Sequence, residues 1–161
     1  AFELMENLAL PGREEYQDSE KYEVRHRDWN SPGNLRDFIA RVNAIRKDNP
    51  ALQETNNIRF FEVDNEQLLF FGKMGMNLDD SILVVVNLDP AHTQSGQIRL
   101  PLGELGIDPT TPYLGQDLLS GEKYIWYGER NLVQLNPHVV PAHIFKLRTR
   151  VRRETDFDYF V

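Results

Sequence analysis

Ser81-Ile82-Leu83-Val84-Val85-Val86-Asn87-Leu88 is the stretch on which the fold class turns. Its five central residues are all apolar and four of them are β-branched, as expected of a central strand buried on both faces. Reading upstream, 58–63 and 67–73 are rich in Phe, Val, Ile and Leu, and Asp64-Asn65-Glu66 splits them as a hairpin with a three-residue loop. Downstream, further runs fall at 96–100, 113–119, 123–127, 131–135 and 142–147. Ser120-Gly121 and Gly128-Glu129 read as turns. Pro90, Pro101, Pro109, Pro112, Pro137 and Pro141 stand outside the runs, where a missing N–H removes no ladder bond. Eight short strands with no intervening helix predict a mainly β chain built as an antiparallel β-sandwich.

The pattern before residue 50 differs. Leu35, Phe38, Ile39, Val42 and Ile45 recur at helical spacing, with Arg36, Asp37, Arg41, Arg46 and Lys47 on the other face. This predicts one amphipathic helix over about 35–48. Asn34 is placed to cap it, Asp37 suits the positive end of its dipole, and Asn49-Pro50 ends it. Residues 1–34 are polar and irregular, with Pro11, Gly12, Pro32 and Gly33 as punctuation. The tail beyond Lys146 turns acidic and aromatic at Asp156-Phe157-Asp158-Tyr159-Phe160, which reads as an edge extension packed on the sandwich. The opening Ala-Phe-Glu-Leu-Met-Glu-Asn has no initiating Met and no leader pattern, so the chain reads as cut from within a longer protein.

Composition removes most functional classes. The 161 residues are 40% hydrophobic and 27% charged, within the globular range. A net charge of −7 repels polyanions, so no nucleic-acid partner is expected. The absence of cysteine excludes disulfides and thiolate sites and fits a cytoplasmic setting. The longest apolar run is far short of the roughly 20 residues needed to cross a bilayer, so no membrane association is expected. His26, His92, His138 and His143 show no metal-ligand spacing, and no metal or cofactor is expected. There is no nucleophile elbow, phosphate loop or dinucleotide fingerprint.

Two features could carry chemistry. Glu14, Glu15, Asp18 and Glu20 could supply a general acid and base, although a solvated acidic loop has the same composition. Tyr113, Tyr124, Trp126 and Tyr127 could present rings to a sugar. Along one strand, however, Tyr124 and Trp126 face one way and Ile125 and Tyr127 the other, so at least one pair belongs to the core.

Phe2-Glu3-Leu4-Met5-Glu6-Asn7, Pro11-Gly12-Arg13-Glu14-Glu15-Tyr16, Asp18-Ser19-Glu20-Lys21-Tyr22-Glu23, Arg27-Asp28-Trp29 and Ile45-Arg46-Lys47-Asp48-Asn49-Pro50-Ala51-Leu52-Gln53 carry a close resemblance. They are similar to the maltosyltransferases of the α-amylase clan that elongate α-glucan from maltose-1-phosphate. Val84-Val85-Val86-Asn87-Leu88-Asp89-Pro90, Asp117-Leu118-Leu119-Ser120-Gly121, Trp126-Tyr127-Gly128 and Pro141-Ala142-His143-Ile144-Phe145 resemble the C-terminal β-domain of the same family.

The resemblance implies that residues 1–52 are the end of a catalytic (β/α)8 barrel, its last exit loop and final helix, and that 53–161 form the all-β C-terminal domain. It also implies that the family's catalytic carboxylates lie outside this chain, so none of its residues is assigned a catalytic role. Lys21 and Tyr22 are implied to bind substrate, by hydrogen bonds to the glucose hydroxyls of the donor. The implied partners are maltose-1-phosphate, α-glucan and the rest of the barrel, and a homodimer of the intact enzyme is compatible. Two alternatives remain open: the same domain in a related hydrolase or trehalose-forming enzyme, or a free-standing sandwich for glucan binding or subunit contact.

Overall fold

The run at 81–88 does become the inner part of a sheet. In the computed structural model, which describes residues 2–17, 24–77 and 80–149, it forms β3, Ile82–Asn87. The other strands are β1 (Ile58–Phe60), β2 (Leu68–Lys73), β4 (Gln94–Arg99), β5 (Tyr113–Asp117), β6 (Lys123–Trp126), β7 (Arg130–Leu135) and β8 (Ala142–Arg148). Six of them make one antiparallel sheet in the order β1-β2-β3-β8-β5-β6, and β4 and β7 pair as a separate antiparallel ribbon. The mainly β, antiparallel sandwich expected from the sequence is the architecture observed. The chain divides into two compact units, Ala1–Ile45 and Arg46–Val161.

Asn34 Oδ1 accepts the backbone N–H of Arg36 at 3.0 Å, and the helix α1 that follows runs Arg36–Asp48, its last residues belonging to the second unit. Its first turn holds Asp37 and its last turn Arg46 and Lys47, each complementing the dipole. Pro50 cannot continue the ladder, and Pro50–Leu52 closes the helix as one turn of 3-10 geometry.

In the second unit the core lies between the large sheet and the ribbon. Leu83, Val85, Phe145 and Leu147 from the sheet meet Ile98, Val133 and Leu135 from the ribbon, all at least 96% buried. Burying each such side chain contributes about 1.5 to 3 kcal/mol. The other face of β3 departs from the expectation. Ile82 is fully buried there, because it shares a row with Lys73 and Lys146, whose amino groups reach Glu54 O at 2.6 Å and Asn49 Oδ1 at 3.3 Å and hold 49–54 above it. Val84 and Val86 are half-buried.

Two further elements differ from the sequence reading. A four-residue helix, α2 (Leu102–Leu105), intervenes between β4 and β5; it buries Leu102 and Leu105 and ends at Gly106, whose φ of 67° is left-handed. The hairpin expected from 58–73 is not a three-residue one. β1 stops at Phe60 because Val63 leaves β2 and bridges to Ile98 of β4. The tail from 150 to 161 lies outside the described residues.

Tyr113, 0% exposed, starts β5 and donates to Gly128 O at 2.6 Å while accepting from Asn131 Nδ2 at 2.8 Å. Burial pushes its pKa up to about 12. Because Asn131 also donates to Gly128 O, at 3.2 Å, that carbonyl keeps a partner without the phenol. Tyr113→Phe is therefore expected to cost about 1 to 2 kcal/mol in urea denaturation, well short of a core deletion.

Candidate functional site

Lys21 and Tyr22 belong to 18–23 and lie outside the described residues, as do Asp18 and Glu20 of the acidic cluster. The chain on either side is described. Before the stretch, Ala9 and Tyr16 form an antiparallel bridge and Gln17 N–H donates to Leu8 O at 2.6 Å. After it, the Arg27 guanidinium pairs with the Glu6 carboxylate. Both flanks thus bond to the short segment 6–9, which holds the two ends of 17–27 together. Glu14 is exposed and Glu15 half-buried.

The histidines are dispersed. His26 is exposed, and among the described residues no three His, Asp or Glu side chains are grouped to hold a metal. His138 lies 3.1 Å from Ala91 O. His92 Nδ1 lies 3.0 Å from Asp89 Oδ2, in a turn whose Ala91 N–H, with Gln94, His92 and the His92 N–H, holds the Asp89 carboxyl at about 2. Of the aromatic candidates, Tyr113 and Trp126 are core, Tyr124 is half-buried and only Tyr127 is exposed, so no platform of rings faces solvent on β6.

One polar cluster was not among the sequence candidates. Asp117, the last residue of β5, is 0% exposed. Its Oδ1 accepts the N–H groups of Leu119 at 3.1 Å and Ile144 at 3.0 Å. Its Oδ2 accepts the Ser120 hydroxyl at 2.7 Å, the Ser120 N–H at 3.2 Å and His143 Nδ1 at 3.0 Å. Burial alone pushes this carboxyl up, but hydrogen bonds from His143, Ser120, Ile144 and Leu119 outweigh it and hold the pKa at about 2. An ionised carboxylate only accepts, so His143 carries a proton on Nδ1.

An Asp–His pair of this kind can orient a catalytic base, but nucleophilic chemistry also needs a hydroxyl on the other ring nitrogen. Ser120 is committed to the carboxylate instead, and the His143 ring packs against Phe145 at 5.0 Å and Tyr124 at 5.9 Å. The cluster ties the β5–β6 turn to β8, and among the described residues no hydroxyl bonds to the second ring nitrogen of His143. Its signal in the sequence is the run Asp117-Leu118-Leu119-Ser120-Gly121, in which an aspartate can bond to backbone two and three residues on.

Residues 60–147, from the end of β1 through β8, match the family model described as "GLGE, C-terminal". The chain belongs to this GLGE C-terminal family. Individual relatives agree with that assignment along most of the chain. The alpha-1,4-glucan:maltose-1-phosphate maltosyltransferase of Rhodospirillum rubrum is 49% identical over 146 residues, 91% of this chain and 21% of that protein. The protein of the same name from Methylacidiphilum infernorum is 50% identical over 148 residues, 91% of this chain and 22% of its own length. That of Myxococcus xanthus is 39% identical over 159 residues, 99% of this chain and 24% of its own. This GLGE C-terminal chain therefore spans about a fifth of the length of the curated relatives it matches.

Proposed function

We propose that the chain is the C-terminal part of an enzyme that transfers maltosyl units from maltose-1-phosphate to α-glucan in the cytoplasm. In this reading 1–52 are the end of a (β/α)8 barrel, and 53–161 the β-domain that follows it. The observation that carries it is the family match over 60–147, joined to about 50% identity with maltosyltransferases over 91% of the chain. That similarity reaches well upstream of the β-domain. The absence of a long apolar helix among the described residues is compatible with it.

Transfer in such an enzyme would pass through a covalent glycosyl-enzyme with retention, using two carboxylates supplied by polypeptide outside this chain. The chain's own contribution would be Lys21 and Tyr22 in the donor site, at the end of the barrel where βα loops build active sites. An ammonium brings three donors on a flexible stem, and a phenol adds a rigid hydroxyl.

Steady-state kinetics of Lys21→Ala and Tyr22→Phe in the full-length protein test this. Each lost bond is expected to cost about 0.5 to 1.5 kcal/mol, or up to about 3 if charge-assisted, in kcat/KM for maltose-1-phosphate. Values within twofold of wild type for both folded variants would remove the donor-site assignment. Phosphate release from maltose-1-phosphate by the full-length protein separates a maltosyltransferase from a hydrolase or trehalose-forming enzyme. The 161-residue chain alone is expected to turn over none.

A further inference from the structure

We propose that Asp156-Phe157-Asp158-Tyr159-Phe160, downstream of β8, docks on the open edge of β6 as a seventh, antiparallel strand of the large sheet. β6 ends the order β1-β2-β3-β8-β5-β6, and only β5 pairs with it. Asp117 N–H donates to Glu122 O at 2.9 Å. Antiparallel bonding alternates, so Glu122, Tyr124 and Trp126 turn their backbone groups to β5 and Lys123 and Ile125 turn theirs outward. An edge of this kind is a template for another strand.

The side chains at this edge are also open. Ile125 is 57% exposed. Lys123 is exposed, and among the described residues its ammonium has no partner. On the inner face the aromatic cluster runs outward from Phe145 and Trp126 and stops at Tyr124, a half-buried ring 6.3 Å from Trp126.

Topology selects this edge over the opposite one. β8 ends at Arg148 beside Leu114, at the start of β5, and β6 reaches the same end with Trp126 opposite Tyr113. A chain that turns back there runs antiparallel to β6. Beside β1 it would run parallel, because Ile58, the first residue of β1, lies at that end opposite Lys73. Every pair in the sheet is antiparallel, the more stable arrangement per residue. Reach favours β6 as well. A strand added there lies three spacings from β8, about 14 Å, against four, about 19 Å, beside β1, and 149–155 extend to about 23 Å.

Alternation sets the faces. Phe157 and Tyr159 fall on the side of Tyr124 and extend its cluster, while Asp156 and Asp158 fall on the side of Lys123 and Ile125. The reverse placement would bring two carboxylates to the side of Glu122, whose carboxylate accepts the Tyr124 hydroxyl at 2.6 Å. Asp158 thus opposes Lys123, an opposite-charge pair of the kind that stabilises a sheet. The placement is independent of the transferase reading.

The chain has no cysteine, so an introduced pair can be read cleanly. In the 161-residue chain, Lys123→Cys with Asp158→Cys should form an internal disulfide in glutathione buffer. Its effective concentration should exceed that of Ile58→Cys with Asp158→Cys, which reports the β1 edge, by about tenfold or more. The Lys123 and Ile125 N–H groups should exchange about tenfold more slowly in the 161-residue chain than in a variant ending at Thr149, with Val85 equally protected in both. Lys123→Glu should reduce that protection about two- to fivefold, and adding Asp158→Lys should recover it. Equal exchange at Lys123 and Ile125 in the two chains, no preference for the Lys123 pair, or cross-links only between chains would each overturn the proposal, the last by giving the edge to a second copy. If the shortened chain also loses protection at Val85, the cross-link comparison decides.

Discussion

Asp117→Ala should lower the stability of the second unit by about 3 to 5 kcal/mol, which a thermal melt would register as a fall of about 10 to 20 °C. The variant strands the N–H groups of Leu119 and Ile144 and the imidazole of His143 without their acceptor. A stranded buried donor costs about 1 to 3 kcal/mol, and several are stranded together. Glu14→Ala, which removes an exposed carboxylate from the acidic cluster, should stay within about 0.5 kcal/mol of wild type. The same Asp117 carboxyl makes stability depend on acid. Its pKa is about 2 when folded against 3.8 unperturbed, so its contribution is complete above pH 4 and is lost as pH falls from 4 towards 2. The whole contribution is about 2 kcal/mol. Urea midpoints at pH 5 and pH 2.5 should therefore diverge less in Asp117→Asn than in wild type. An unchanged divergence would place the acid sensitivity elsewhere.

Phe145→Ala should cost a similar amount, about 3 to 5 kcal/mol, by a different route. Phe145 is 1% exposed and sits at the centre of an aromatic cluster. Its ring lies 4.8 Å from Trp126 and 5.7 Å from Tyr124 in edge-on geometry, and 5.0 Å from His143. Deletion removes those contacts and leaves a cavity that β5, β6 and β8 cannot close, because their ladder fixes their spacing. Ile125→Ala, one residue from Trp126 but 57% exposed, should cost under about 1 kcal/mol. Chemical denaturation with Trp126 fluorescence would distinguish them; a loss below about 1 kcal/mol for Phe145→Ala would mean that the cluster is not part of the core.

The contrast between Trp126 and Ile125 is legible in the amino-acid sequence. Alternation along 123–127 puts the two on opposite faces, and the sheet follows it. The same local logic locates α1, because a stripe at 3.6-residue spacing, a cap at Asn34 and a stop at Pro50 all act within a few residues. Lys21 and Tyr22 are reached through resemblance alone, since nothing in their spacing distinguishes a sugar-binding lysine from one in a solvated loop.

The sequence by itself determined the amphipathic helix before Pro50, most of the strands and the family to which they belong, because periodicity, capping and motif residues act over short separations; it missed the short helix α2 and carried the first strand past Phe60. Only the tertiary structure decided the rest. β8 lies between β3 and β5, and this order brings His143 to Asp117, 26 positions away. Val63 leaves the β1–β2 pair for Ile98, which ends β1 early. Val84 and Val86, as apolar as Ile82, stay half-buried, whereas Ile82 lies in the row whose Lys73 and Lys146 bond to Glu54 and Asn49. Such pairings depend on which faces can be buried together after distant segments meet, and a strand's own residues are compatible with several of those meetings.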